Sequence, residues 1–166
     1  MSFIFSVSHV LAQRDETSWG LGSSVIYNFQ TEGFGTELRA HIYLMDQLVL
    51  APELSYFPSF NQIHEMYPGL AVHYEFPILN EYSPYLALGA WFNDWLNAEK
   101  FTLGVKNKYN FAPEVGGGIV RNNGCLRPYL EYRYDIKWQE GNLRIGILWF
   151  FGACKPQKYG CMPLHL

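Results

Sequence analysis

The chain has 166 residues, enough for one domain, with 16% charged residues, 17% aromatic residues and a formal net charge of −3. Soluble domains usually carry roughly 25% charged residues, so the surface this chain builds is an unusual one. The mild charge, with no basic stripe, argues against a nucleic-acid partner. No apolar run reaches the about 18 residues of a membrane-spanning helix, so any span must be a closed barrel.

Residues 1–13 open with an apolar stretch, Phe3 to Leu11, and place Val10 and Ala12 at −3 and −1 relative to Gln13. Small residues at those two positions are what a secretory cleavage site requires. The basic start of such a segment is missing, so a signal peptide with a clipped start is preferred over a short strand or an unstructured lead. On that reading the mature chain begins near Gln13 or Arg14, outside the cytoplasm.

From there the pattern has period two, which puts alternate side chains on opposite faces of a strand. Segments 19–29, 34–44, 48–57, 66–76, 85–93, 111–121, 126–138 and 143–151 read this way, and no stretch has helical periodicity. In 34–44, Phe34, Thr36, Leu38, Ala40, Ile42 and Leu44 alternate with Gly35, Glu37, Arg39, His41 and Tyr43. In 126–138, Leu126, Pro128, Leu130, Tyr132, Tyr134, Ile136 and Trp138 alternate with a set that holds every charge: Arg127, Tyr129, Glu131, Arg133, Asp135 and Lys137. Such runs exceed the roughly 5–6 residues of ordinary strands and suit tilted transmembrane strands of about 9–11. Connectors 46–47, 79–83 and 122–124 are short, with Asn122-Asn123-Gly124 a hairpin signal, whereas 58–65 and 94–110 are longer. The connectors at 30–33 and 139–141 are shorter than a strict alternation of turns and loops would give.

Several stretches carry a resemblance: the glycine-spaced opening (Gly20, Gly22), Ser83-Pro84-Tyr85-Leu86-Ala87-Leu88-Gly89, Pro113-Glu114-Val115-Gly116-Gly117-Gly118, Arg127-Pro128-Tyr129-Leu130-Glu131-Tyr132-Arg133-Tyr134 and the closing Trp149, Phe150 and Phe151. They resemble the small eight-stranded outer-membrane β-barrels of the OmpA/OmpX type, the "outer membrane protein beta-barrel" group, over about 19–152. The patterns are diffuse rather than a signature motif. The resemblance implies an all-β fold: one antiparallel up-and-down transmembrane barrel over 14–152, in the outer membrane of a Gram-negative bacterium, with a narrow, porin-like lumen. It further implies outer-membrane lipid and lipopolysaccharide as surroundings, the outer-membrane assembly machinery as a partner, and a monomer. No cofactor and no single activity come with it. The chain departs from the family in its tail, 153–166, which continues past the aromatics that normally end the chain.

Which face meets water has to be decided physically. A secreted lipocalin-like barrel binding an apolar small molecule would place the apolar set inside; a membrane barrel does the reverse. The second set is rich in small residues (Gly20, Gly22, Ser24, Gly69, Ala71, Ala87, Gly89, Gly116, Gly118, Gly146) and poor in Lys. That suits volume balancing inside a narrow tube better than a solvated surface. The apolar set ends in Trp19, Tyr56, Tyr74, Trp138 and Trp149, expected as rings at the lipid–water boundaries. Prolines 52, 68, 84, 113 and 128 fall on the outward set, and Pro52, in mid-strand, implies either a bulge or a shifted strand.

The inward set then holds the candidate site: Glu37, Arg39, His41, Glu53, His73, Glu75, Glu114, Arg127, Glu131, Arg133, Asp135, Lys137 and Arg144. Acids and bases nearly balance, as they must where an uncompensated buried ion costs several kcal/mol. The expectation is an ion-pair network filling the lumen, with Arg127, Glu131 and Arg133 set against Glu37, Glu75 and Glu114 at its centre; a gated pore in which an Arg–Glu pair exchanges partners is the sharper variant. His41 and His73 with Glu53 or Glu75 match no metal-ligand spacing, and Gly116-Gly117-Gly118 precedes no helix that would make a phosphate loop. No catalytic set emerges, so the chain is not read as an enzyme. Cys154 and Cys161 could close a small loop in an oxidising compartment, and Cys125 has no obvious mate. A structural, narrow-pore or surface-interaction role is expected, with the loops around 58–65 and 94–110 (Trp95, Lys100, Phe101) reaching surface ligands.

Overall fold

The computed structural model describes residues 19–58, 65–76, 81–95, 110–122 and 124–151; the segments read as a signal peptide (1–13) and a tail (153–166) lie outside these, as do Lys100 and Phe101. The eight strands are β1 (Trp19–Asn28), β2 (Gly33–Tyr43), β3 (Leu48–Phe57), β4 (Glu65–Glu75), β5 (Tyr82–Trp95), β6 (Asn110–Arg121), β7 (Leu126–Asp135) and β8 (Glu140–Phe151). Each pairs antiparallel with the next, and β8 returns to β1 from Trp19↔Phe151 to Asn28↔Asn142, closing the barrel. Closure removes every free edge. No helix among the described residues is long and apolar enough to cross a membrane.

Every ladder keeps one register along its length, so no bulge interrupts the described sheet: β5–β6 runs unbroken from Tyr82↔Arg121 to Asn93↔Asn110. Pro52 therefore marks neither a bulge nor a shift. The β2–β3 ladder pairs Arg39↔Glu53 and resumes at Ile42↔Leu50 in the same register, leaving a gap opposite Pro52. Pro68 faces a like gap between Met66↔Asp94 and Gly69↔Trp91. Pro84, Pro113 and Pro128 each sit one residue past the end of a ladder. A proline lacks the N–H that a ladder needs, and all five are placed where none is asked for. The glycine run is likewise close packing: a Cβ at Gly116 would lie 2.2 Å from the Tyr132 carbonyl oxygen, and one at Gly118 2.5 Å from that of Leu130.

Side-chain caps close the first and last connections, both at one end of the barrel. Asn28 Oδ1 accepts the backbone N–H groups of Gln30 and Thr31 at 2.9 and 3.0 Å, and Asp135 Oδ1 those of Lys137 and Trp138 at 2.8 and 2.9 Å. Gln30 then joins the two tight turns, its amide accepting from Gly141 N at 2.7 Å and donating to the Gln139 carbonyl at 3.2 Å. These ties explain why the first and last loops are so short. At the opposite end Gly124 turns the chain with φ of 81°, a left-handed conformation that glycine adopts without strain.

The two faces are sorted as a membrane requires. Leu130, Tyr132 and Ile147 are exposed, whereas Glu131 and Arg133 have no accessible surface. A lipocalin-type barrel needs the opposite arrangement. Around the middle of the wall the exposed side chains are mostly aliphatic, among them Leu38, Leu54, Leu70, Leu88 and Ile145. Aromatic rings stand at the two rims: Trp19, Tyr74 and Trp149 at the end bearing the short turns, Tyr56 and Trp138 at the loop end, all exposed. Soluble monomers rarely expose a contiguous apolar patch above a few hundred Å²; this belt encircles the molecule.

Candidate functional site in the barrel lumen

An eight-stranded barrel is just wide enough for side chains to fill it, and period-two alternation aims every second residue at that axis. Glycines on one wall make room for large side chains from another. A Cβ at Gly69 would lie 2.2 Å from the Trp91 ring, and one at Gly146 2.6 Å from that of Tyr129.

At mid-height three arginines and four glutamates interlock. Arg39 donates from Nη1 and Nη2 to the two oxygens of Glu131 at 3.0 and 2.9 Å, and from Nε to Glu37 at 2.7 Å. Arg133 grips Glu53 through both terminal nitrogens, and its Nε lies 2.7 Å from Glu131 Oε1. Arg144 reaches Glu37 at 3.2 Å, Glu53 and Glu131 at 3.3 Å, and Glu114 at 3.2 Å. Tyr85 donates its hydroxyl to Glu131 at 2.7 Å, and Arg39 and Arg144 stack over the rings of Tyr129 and Trp91. Paired, charge-assisted geometry of this kind is what makes buried ions tolerable. The side chains of this network are at most 5% exposed, so the middle of the lumen is filled.

His73 Nε2 lies 3.1 Å from Arg133 Nη2 and 3.8 and 3.9 Å from Glu53 and Glu131. With four carboxylates against three guanidiniums, the network is left one negative charge in excess when all are ionised.

Toward the short turns lies a second, smaller cluster. Glu75 accepts from the Tyr43 hydroxyl at 3.0 and 3.1 Å and from His41 Nε2 at 3.3 Å. Arg127 contacts Tyr43 and Asn122 at 3.4 and 3.3 Å and lies 4.0 Å over the Phe150 ring. Asn122 is hydrogen-bonded to Ser83.

The expected centre is thus redistributed. Glu37, Glu114, Glu131 and Arg133 meet at mid-height, but Arg127 and Glu75 belong to the turn-end cluster, and Arg39, Glu53 and Arg144 occupy the centre instead. Lys137 is not in the lumen: Asp135 ends β7 by capping the turn, and Lys137 leaves the barrel wall, its ammonium 3.3 Å from Asn110 Oδ1 and 3.2 Å from the Phe111 carbonyl. Asp135 is buried at the loop end. Tyr43, Tyr85, Trp91 and Tyr129 join the expected site residues in the lumen, and all four share the inward parity of their segments. Glu65 and Glu140 fell outside the predicted strands, each just before a segment whose parity they continue. Cys125 is disulfide-bonded, which leaves its sequence reading corrected; the expected Cys154–Cys161 pair lies outside the described residues. No group of three His, Cys, Asp or Glu among the described residues is arranged to hold a metal ion.

Fold and lumen together define a small eight-stranded barrel of the kind found in bacterial outer membranes. The sequence matches no protein-family model and no curated protein. Solved structures do match. The N-terminal β-barrel domain of Pseudomonas aeruginosa OprF superposes with a TM-score of 0.64 at 15% identity, over 82% of this chain and 100% of that one. A de novo designed transmembrane β-barrel gives 0.58 at 17%, over 81% and 95%. The Yersinia pestis outer-membrane protein Ail, in a phospholipid bilayer nanodisc, gives 0.52 at 15%, over 82% and 100%. At these identities the likeness is one of fold.

Proposed function

We propose that this chain is an integral outer-membrane β-barrel that serves as a braced, closed anchor presenting its loop end to the exterior, rather than as an open pore. The observation that carries the reading is the inversion of faces: apolar side chains outside, a buried ion network at the centre of the tube. Hydrocarbon is the solvent in which that arrangement is stable. The likeness to OprF, Ail and a designed transmembrane barrel supports it. Short turns conventionally face the periplasm and longer connections the exterior. That places 44–47, 76–81 and 122–125 inside and the mouth formed by β3–β4 and β5–β6 outside. Lipid and lipopolysaccharide are then the immediate partners of the belt.

Fractionation tests the location. The protein should appear in detergent-extracted outer membrane with heat-modifiable gel mobility; recovery as a detergent-free soluble protein would end the proposal. Planar-bilayer recording tests closure. Wild type should pass no steady current, and Arg133→Ala is the variant most able to open a path; sustained wild-type conductance would replace the anchor by a pore.

A further inference from the structure

We infer that the vestibule above the ion network binds a small organic cation, specifically a linear aliphatic oligoamine. A cavity of about 490 Å³ opens at the loop end of the lumen, within the roughly 300–1,000 Å³ range of small-molecule sites. Three carboxylates on three strands face it: Glu65 of β4, Asp135 of β7 and Glu140 of β8. Their hydrogen bonds come from neutral donors, namely Tyr67 to Glu65, Asn28 Nδ2 to Glu140 at 2.7 Å, and backbone N–H groups to Asp135. Among the described residues no cation pairs with any of the three. The nearby Lys137 is turned to Asn110 and Phe111 instead.

The floor does not supply the missing charge. Arg144 reaches the vestibule, but it is shared among Glu37, Glu53, Glu114 and Glu131. Two side chains in the wall point the same way. Asn93 and Asn142 are 4% and 7% exposed, both line the cavity, and the amide oxygen of each has no partner. For Asn93 the nitrogen is already used, donating to the Tyr67 hydroxyl at 2.9 Å, so the oxygen is the free end. The Trp91 indole N–H is also unpartnered, but charge sets the sign of the occupant: four lining carboxylates, counting Glu114, face one committed arginine.

An ammonium donates in three directions to carboxylate and carbonyl oxygens. A bare metal ion suits the site less well, because the acids stand on separate strands and do not converge. The rings of Phe57, Tyr67 and Trp138 in the same wall offer surface for methylene stems and for cation–π contact. A chain of methylenes bearing two or more ammonium groups matches both features.

The test is calorimetric titration of the full-length protein in lipid nanodiscs with spermidine at low ionic strength. Saturable one-to-one binding that weakens with NaCl is expected. The Glu65→Gln/Glu140→Gln double variant should bind about tenfold more weakly or worse, since each lost contact is a charged hydrogen bond. Glu81→Gln, an exposed acid at the other end paired with Arg121 at 3.6 Å, should bind like wild type. Should the double variant fold poorly, Asn142→Asp gives the opposite reading: an added carboxylate tightens binding several-fold. No saturable heat, equal affinity in the vestibule variants and Glu81→Gln, or a magnesium titration that outcompetes spermidine would each overturn the inference.

Discussion

Arg133 of β7 crosses the lumen to grip Glu53 of β3 with both terminal guanidinium nitrogens, Nη1 to Oε2 at 2.9 Å and Nη2 to Oε1 at 2.6 Å. The two residues are on non-adjacent strands, so the pair is a strut across the tube rather than a rung along its wall. Neither has accessible side-chain surface. Removing one partner of a buried pair strands the other; replacing both does not.

Arg133→Met should therefore destabilise the folded barrel by about 3–5 kcal/mol. The double change Arg133→Met with Glu53→Gln should recover part of that loss. Urea unfolding in lipid vesicles, followed by gel mobility, measures the cycle. Additive losses would mean that the strut is not coupled.

The belt makes a prediction of opposite sign to that of a soluble barrel. Leu38 and Leu88 lie in mid-strand on the outer face, each 64% exposed. Leu38→Arg or Leu88→Arg should cost about 2–4 kcal/mol at the bilayer midplane, whereas on a water-facing wall either change would be near neutral. The same unfolding assay separates the two outcomes.

Space inside the tube is matched residue by residue. A Cβ at Gly69 would collide with the Trp91 ring, so Gly69→Val should cost about 1–3 kcal/mol through overpacking. Pairing it with Trp91→Leu should restore much of the loss. If Gly69→Val is tolerated by itself, the lumen is looser than the structure implies.

Tryptophan fluorescence reads the faces directly. A variant keeping only Trp149, exposed at the rim, should be quenched by brominated phospholipid. One keeping only Trp91, 2% exposed inside the lumen, should not be. Quenching of both would place Trp91 in contact with lipid.

Cysteine labelling checks the covalent state. The chain has three cysteines and Cys125 is disulfide-bonded, so alkylation of the unfolded, unreduced protein should label one of them. Peptide mapping then identifies the mate of Cys125. Labelling of Cys125 itself without reductant would refute the bond.

Alternation alone determined most of the architecture. A strand must send successive side chains to opposite faces, so eight period-two segments with small and ionic residues on one parity read as barrel wall with its inside marked. The segment 48–57 and strand β3 coincide, and the other boundaries differ by a few residues at the ends. The largest differences have local causes: Asp135 caps a turn and ends β7 early, while β5 runs on to Trp95 and β8 starts at Glu140 because hairpin partners extend them. What parity could not decide is which inward residues meet. Arg127 and Arg133 are indistinguishable by pattern and are separated along the axis into different clusters. Glu53 faces Arg133, eighty positions away in the chain, only because strand tilt and closure bring β3 and β7 to the same height. Register and closure are properties of the whole sheet, so the wall was legible one strand at a time, while the lumen and its vestibule came into being only when the eighth strand met the first.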